Sequence, residues 1–252
     1  MTVLRDLPYC PGVKACRLDL FLPDGPGPHP LVVLIHGGGW ISGDRDSFHG
    51  EAAWFASQGV GAACVSYRLA PLEPFPAACD DVLNAVAHLR NESKLHGIDP
   101  SRIIAMGNSA GGHLGCIAGL QRNLSDGSPA QNADAVVAIC PITDVRNPEQ
   151  THFPISMSFL EQFLGGSHAE SPERYAAASP ATHVHGGAPP FLIFHGTADD
   201  IVPVEQSKSL YIKLCESGVP AELHLLEGEG HSFSYPAWEQ IRAQSLEFIQ
   251  TL

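Results

Sequence analysis

Six short, mainly apolar runs recur along the chain, and segments with a helical pattern lie between them. The runs cover residues 31–35, 60–65, 103–106, 135–139, 191–194 and 223–226. Strands that are covered on both faces, as in a parallel sheet, read as continuous apolar runs because neither face meets water. The runs therefore predict six strands of a mostly parallel central sheet.

One earlier segment has a different period. The apolar positions 16, 18, 20 and 22 alternate with Arg17, Asp19 and Phe21. Alternation with a period of two is typical of a strand with one buried face. This segment predicts an early antiparallel strand.

Two segments have well-defined helical patterns. The first places four apolar side chains on one face, namely Val82, Leu83, Val86 and Leu89, and the last segment does the same with Trp238, Ile241, Phe248, Ile249 and Leu252. Amphipathic helices of this kind pack their apolar face against a core. Together with the strands, they predict the α/β class, with helices on both faces of the sheet.

The length of 252 residues and this regular alternation predict a single α/β domain over residues 1–252. The alternation breaks between residues 144 and 190, where a polar segment rich in proline and histidine holds one helical pattern, at 155–164. Long connections inside compact domains usually have a function. We therefore expect residues 144–190 to form a short cap inserted between two strands.

The charge and the ends of the chain bear on its partners and location. A formal net charge of −13 argues against nucleic acid and against an anionic membrane as partners. Residues 1–12 lack the pattern of a signal peptide, and no apolar run approaches the roughly 20 residues that span a bilayer. A cytoplasmic location is the default expectation, with secretion the alternative for a processed mature form. A monomer and a dimer are both compatible with the sequence.

The cysteines and histidines give no sign of a metal centre. The seven cysteines lack Cys-x-x-Cys spacing, and three of them lie in apolar segments as expected for buried thiols, namely Cys64, Cys116 and Cys140. Cys10 and Cys16 are close enough in sequence to pair. His183 and His185 have no acidic or cysteine ligand beside them, and no H-E-x-x-H motif occurs. We expect neither a metal nor a cofactor.

The run Gly-Asn-Ser-Ala-Gly-Gly at 107–112 follows an apolar strand and precedes a helical segment that runs from His113 to about Leu120. A serine between small residues at such a strand–turn–helix junction is the pattern of a nucleophile elbow. The sharp turn exposes the hydroxyl above the sheet. Ser109 is therefore the candidate nucleophile.

A glycine run, His-Gly-Gly-Gly-Trp at 36–40, directly follows the strand at 31–35. Without Cβ atoms, its backbone N–H groups can converge on a ligand, as in the oxyanion holes of lipases and esterases. We expect the N–H groups of Gly38, Gly39 and Ala110 to bind the oxyanion. His36 and His195 are expected to make hydrogen bonds within their own loops.

A general base and its acidic partner are expected in the later loops. Asp199 follows the strand at 191–194, and His231 follows the strand at 223–226, so the order serine, acid, histidine is complete. Asp200 competes for the acidic position, but we expect it at the N-terminus of a helix that begins near Pro203. Asp144 is a further candidate, better explained as a turn residue.

These motifs resemble those of known esterases over almost the whole chain. HGGGW at 36–40, YRLAP at 67–71 with FPAA at 75–78, and GNSAGG at 107–112 resemble the hormone-sensitive-lipase-like esterases. HGTAD at 195–199, VP at 202–203 and GHSF at 230–233 are more similar to the small bacterial feruloyl and acetyl-xylan esterase-like group. The resemblance implies the α/β-hydrolase fold. Asn108 departs from the first group, which more often has an acidic residue there.

The resemblance also implies a reaction, namely ester hydrolysis through an acyl-enzyme on Ser109. Only about 30 residues precede the glycine run, so we expect no long helical N-terminal cap and an open site that suits short-chain or aromatic acyl esters, including esters on acetylated or feruloylated polysaccharide. Arylformamidase-like or peptidase activity on the same site is the alternative, and a non-catalytic binding module is a third. Five aromatic side chains either line the pocket or pack in the core: Trp40, Phe48, Phe153, Phe159 and Phe163.

Overall fold

A computed structural model describes residues 1–252 as eight strands, nine α-helices and two 3₁₀ turns. The strands are β1 Thr2–Pro8, β2 Arg17–Leu22, β3 His29–Ile35, β4 Gly61–Val65, β5 Ile98–Asn108, β6 Ala135–Ile139, β7 Phe191–Gly196 and β8 Ala221–Leu226. The helices are α1 His49–Ser57, α2 Ala77–Asn91, α3 Ser93–His96, α4 Ala110–Leu120, α5 Pro148–Thr151, α6 Pro154–Leu164, α7 Pro172–Ala178, α8 Glu205–Glu216 and α9 Tyr235–Thr251. The 3₁₀ turns are Arg45–Phe48 and Pro180–Thr182.

All eight strands form one sheet in the order β1-β2-β4-β3-β5-β6-β7-β8. The six continuous apolar runs are β3 to β8, and every pair among them is parallel. The alternating segment is β2, which pairs antiparallel with both β1 and β4. The predicted, mostly parallel α/β fold is confirmed. Strand β1 was missed because its mostly exposed residues form no apolar run.

Helices cover both faces of the sheet, because successive side chains of a strand point to opposite faces. Val33 and Ile35 pack in one cluster with α2 and α4, and α8 packs against a smaller cluster on the C-terminal half of α4. Val32 and Leu34 face the other way and pack with α1 and α9. None of the helices is both long enough and apolar enough to cross a membrane.

The connection between β6 and β7 contains the predicted helix, α6, together with α5, α7 and the second 3₁₀ turn. The short helices α5 and α7 and the 3₁₀ turn were not predicted, because they have too few turns to show a period. All seven cysteines are free thiols, including Cys10 and Cys16, and the three expected to be buried are fully buried.

A very short junction joins β5 to α4, since only Ser109 separates the two elements. Ser109 has φ 56° and ψ −122°, a backbone conformation that residues with side chains rarely adopt. The start of α4 packs directly on the strands: a Cβ on Gly111 would lie 2.0 Å from the carbonyl oxygen of Ile35, and one on Gly107 would lie 2.4 Å from that of Gly111. Only glycine fits these two positions.

Substitution of two glycines in α4 should have opposite effects on stability. Gly111→Ala forces a methyl group into the backbone of β3, so we expect a loss of about 3 kcal/mol in the free energy of unfolding. Gly115→Ala is the matched control, because its Cβ would meet nothing closer than 3.9 Å. Alanine is also a better helix former than glycine, by about 1 kcal/mol.

Urea unfolding monitored by circular dichroism measures both changes. Equal stability of the Gly111→Ala and Gly115→Ala proteins would contradict the tight packing of α4 on β3.

Candidate active site

The three residues predicted to act together form a chain of hydrogen-bonding contacts through His231. Ser109 Oγ lies 3.0 Å from His231 Nε2, and His231 Nδ1 lies 2.8 Å from Asp199 Oδ2. They come from three loops at the carboxyl edge of the sheet, after β5, β8 and β7. In this arrangement, Nδ1–H donates to the carboxylate, which leaves Nε2 free to accept the serine proton.

The carboxylate of Asp199 is buried and held by several donors. Its Oδ1 accepts hydrogen bonds from the backbone N–H groups of Ile201 and Val202, at 2.9 and 2.8 Å. Its Oδ2 also lies 3.3 Å from His195 Nε2. Burial by itself raises the pKa of Asp199, but the hydrogen bonds from His195, His231 and Val202 outweigh burial and hold that pKa well below its usual range. The acid therefore stays ionised throughout the neutral range.

His195 lies in β7, not in a loop as expected, and it has a larger part in this arrangement than bonds within its own segment. It contacts Asp199, and it also bonds to Ser207 Oγ at 2.7 Å and to the carbonyl oxygen of Val202 at 2.9 Å. The histidine four residues before the acid was the available signal in the sequence. Its contact with the carboxylate depends on how the loop folds back on itself.

The two competing acids occupy other environments. Asp200 is exposed, and the expected helix, α8, begins at Glu205, two residues after Pro203. Asp200 lies five positions before the start of α8, so it is not part of the first turn, where Glu205 is the acidic residue. Asp144 accepts from the backbone N–H of Arg146 at 3.0 Å, which is the geometry of a turn residue.

The glycine run lies beside the serine with its backbone in conformations that favour glycine. Gly38 and Gly39 have φ of 107° and 60°, and a Cβ on Gly38 would lie 2.3 Å from the carbonyl oxygen of Ser42. Neither N–H group donates to another backbone group. Ala110 is the first residue of α4, so its N–H also has no acceptor within the helix. The glycine run and the start of α4 therefore supply three backbone N–H groups that have no backbone acceptor.

A buried aromatic cluster fixes the end of the glycine run. Trp40, with φ 61°, donates its indole N–H to His113 Nδ1 at 3.2 Å, and its ring stacks on Phe163 of α6 at 4.3 Å. His113 Nε2–H donates to the carbonyl oxygen of Ala178 at 2.8 Å. Burial lowers the pKa of His113 to about 4, so the ring is neutral as this pairing requires. Sequence reasoning missed this link because the residues that form it are far apart in the chain. His113 is 73 residues from Trp40, and Ala178 is 65 residues from His113.

One cavity opens at Ser109, and a second lies near it. The first, of about 420 Å³, is bounded by the serine, His231, the glycine run and apolar side chains of α6 and neighbouring loops, including Ile142, Ile155, Phe159, Leu160, Ile201 and Val202. We call it the serine cavity. The second, of about 470 Å³, shares Gly38 and Asn108 with the first, and apart from Phe48 and Trp238 its lining residues are polar or glycine. We call it the polar cleft.

The five aromatic residues divide among these surroundings. Trp40 and Phe159 line the serine cavity, Phe48 lines the polar cleft, and Phe163 is buried against Trp40. Phe153 lies at a separate cavity next to α5.

Comparison with known proteins agrees with this architecture. A model of the BD-FAE family matches residues 18–214. Esterase LipQ of Mycobacterium tuberculosis is 34% identical over 243 residues, which cover 92% of this chain and 58% of that protein. Esterase LipC of the same organism is 34% identical over 221 residues, covering 82% and 53%. The chain thus spans somewhat more than half the length of these curated relatives.

Solved structures match over nearly the full chain. A truncated form of a carbohydrate esterase from gut microbiota superposes with a TM-score of 0.86 at 23% identity, covering 100% of this chain and 96% of that one. Est2, a thermophilic esterase from Thermogutta terrifontis with butyrate bound, superposes with a TM-score of 0.80 at 26% identity, covering 96% and 92%. The chain therefore belongs to the BD-FAE family and adopts the α/β-hydrolase fold.

Proposed function

We propose that this chain is a serine carboxylesterase that hydrolyses esters of short-chain or aromatic acids through an acyl-enzyme. The observation that carries the proposal is the chain of contacts from Ser109 through His231 to Asp199, at 3.0 and 2.8 Å, beside a cavity that admits a substrate. A nucleophile, a base and a buried acid in this order suffice for acyl transfer. The named esterases among the relatives support the same reaction class.

In the first half of the reaction, Ser109 Oγ attacks the ester carbonyl carbon while His231 Nε2 accepts the serine proton. Asp199 stabilises the imidazolium that forms. The carbonyl oxygen becomes an oxyanion and receives hydrogen bonds from the N–H groups of Gly38, Gly39 and Ala110. The carbon–oxygen bond to the alcohol then breaks, and the alcohol oxygen takes the proton from His231.

In the second half, water takes the place of the alcohol. His231 removes a proton from the water as it attacks the acyl carbon, and the proton then returns to Ser109 Oγ as the acid leaves. No step requires a cofactor.

The size and lining of the serine cavity support a modest acyl group. Its volume of about 420 Å³ and its apolar walls suit a short alkyl chain or one aromatic ring. The related Est2 structure holds butyrate, which is an acyl product of this size.

Replacement of the nucleophile tests the reaction directly. Ser109→Ala should leave a folded protein with an unchanged melting temperature within a few degrees, while kcat for 4-nitrophenyl acetate falls by several orders of magnitude. Near-wild-type turnover by the folded variant would rule out Ser109 as the nucleophile.

A pair of neighbouring aspartates tests the acid. Asp199→Asn should lower kcat by roughly 10³ to 10⁴, since an amide favours the wrong tautomer of His231. Asp200→Asn is the matched control, because Asp200 is exposed and His231 forms its ion pair with Asp199 instead, and kcat of this variant should stay within about twofold of wild type. The reverse order of effects would move the acid by one residue.

A substrate series tests the acyl preference. Among 4-nitrophenyl esters of two to twelve carbons, kcat/KM should be highest for the short chains and should fall beyond the length that the serine cavity holds. Methyl ferulate tests the aromatic acyl group. Higher kcat/KM on formyl-kynurenine or on aminoacyl amides than on every ester would favour the amide-hydrolysing alternatives instead.

A further inference from the structure

One residue, His152, lines both the serine cavity and the cavity next to α5. We call the latter the α5 cavity. It has a volume of about 440 Å³ and is lined by residues of α5, of the first turns of α8 and of the segments between them. Ile142 and Val202 line the serine cavity, while their sequence neighbours Thr143 and Pro203 line the α5 cavity. The two cavities therefore adjoin, and His152 is the only residue common to both linings.

The side chain of His152 is buried and held by its neighbour in the chain. Only 8% of its surface is exposed, and its Nδ1 lies 2.9 Å from the hydroxyl oxygen of Thr151. Its backbone N–H donates to the carbonyl oxygen of Pro148 at 3.0 Å, at the end of α5. Burial lowers the pKa of His152 to about 4, so the ring is neutral at pH 7 and can lie against an apolar cavity.

The segments around His152 are fixed by hydrogen bonds that do not involve its ring. The hydroxyl group of Thr143 donates to the carbonyl oxygen of Gln206 at 2.7 Å, and the side-chain amide of Gln206 donates to the carbonyl oxygen of Thr151 at 3.2 Å. By contrast, Nε2 of His152 is buried and has no hydrogen-bond partner. A buried polar atom without a partner costs stability. Replacing His152 with an apolar side chain therefore loses one contact, to Thr151, and also removes this cost.

We propose that the side chain of His152 is the end wall of the acyl-binding site and sets the longest acyl chain that the enzyme accepts. The inference rests on the proposed esterase function, and it adds to that function the residue that determines acyl specificity. Without the ring of His152, the serine cavity and the α5 cavity would form one continuous space of roughly twice the volume of the serine cavity.

The two sides of this wall differ in chemistry, which sharpens the limit on chain length. Apolar side chains of α6 bound the serine cavity, whereas the α5 cavity is lined by polar or charged residues apart from Phe153 and Pro203. A methylene group in an apolar pocket can raise kcat/KM by roughly tenfold or more. A chain that ends at His152 gains in this way from its carbons, whereas a longer chain meets the ring first and polar side chains beyond it.

Three substitutions at position 152 separate a steric wall from a polar role of this histidine. His152→Ala removes the wall, and His152→Val removes part of it while keeping an apolar side chain in place. His152→Phe keeps an aromatic ring of similar size but has neither ring nitrogen. Phe153→Ala is the matched control, because it also removes a ring, and Phe153 lines the α5 cavity but not the serine cavity.

The readout is the ratio of kcat/KM for 4-nitrophenyl octanoate to kcat/KM for 4-nitrophenyl butanoate, in variants that thermal unfolding shows to be folded. We expect the ratio to rise by roughly tenfold or more in His152→Ala and by a smaller factor in His152→Val, and to stay within about twofold of wild type in His152→Phe and Phe153→Ala. If His152→Ala does not fold, His152→Val decides. An unchanged ratio in the folded small variants, or an equal rise in His152→Phe or Phe153→Ala, would overturn the proposal.

A second series shows which part of the ester lies against His152. The ratio of kcat/KM for octyl acetate to kcat/KM for butyl acetate varies the alcohol instead of the acyl chain, and it should stay within about twofold of wild type in His152→Ala. A rise in this ratio without a rise in the acyl ratio would place the alcohol in the serine cavity and would contradict the assignment of His152 to the acyl site.

A binding measurement separates failure of this wall from failure of the proposed function. Octanoate and butanoate, the acids that the two acyl esters release, contain no ester bond. In titration calorimetry, His152→Ala should raise the affinity for octanoate relative to that for butanoate by roughly fivefold or more. If wild type hydrolyses no ester but the affinities change in this way, the esterase function fails and the wall stands. If wild type hydrolyses the butanoyl ester but neither the acyl ratio nor the affinities respond to His152→Ala, the wall fails and the esterase function stands.

Discussion

The site depends on the direct contact between the backbone at the start of α4 and the end of β3. Because Gly111 has no side chain, α4 approaches so closely that a Cβ there would lie 2.0 Å from the carbonyl oxygen of Ile35. This approach leaves a single residue, Ser109, to reverse the chain, and it holds that residue at φ 56°. Such a conformation costs on the order of 1–3 kcal/mol, which the packing of the fully buried α4 on the buried end of β3 offsets. The same contact sets Ser109 beside the glycine run, since that run begins directly after Ile35.

The parallel sheet brings the other groups to the serine. The carboxyl ends of β3, β5, β7 and β8 lie at one edge, so the glycine run, the nucleophile, the acid and the base meet there although up to 195 positions separate them in sequence. Asp199 is then ordered by hydrogen bonds from two histidines and two backbone N–H groups. These donors keep the carboxylate ionised despite its burial, which an acid needs in order to orient and stabilise His231. The end of the glycine run is held by Trp40, which stacks on Phe163 of α6 and bonds to His113, and His113 in turn bonds to the backbone of Ala178.

Local sequence patterns were sufficient for the parts of the fold in which burial is continuous along the chain. The apolar runs of β3 to β7 are buried and predicted these strands, and the run of β8 predicted that strand although only Leu226 of β8 is buried. Strand β1 is exposed and has no such run, so it escaped notice. In the site, Ser109 could be predicted because it lies in a recognisable strand–turn–helix motif. Asp199 and His231 could be predicted because each follows a recognisable strand in the required order. The contact of His195 with Asp199 and the bond from Trp40 to His113 depend on tertiary packing, which periodicity does not record.

The central claim is that Ser109 is the one hydroxyl activated for attack on an acyl carbon. Reaction with an alkyl fluorophosphonate, followed by intact-mass measurement and peptide mapping, tests it most directly, because the reagent bonds only to an activated nucleophile. The account predicts one adduct per chain, located on Ser109, and a labelling rate that falls by orders of magnitude when His231 is replaced by Ala. No adduct, or an adduct on any other residue at a comparable rate, would contradict it.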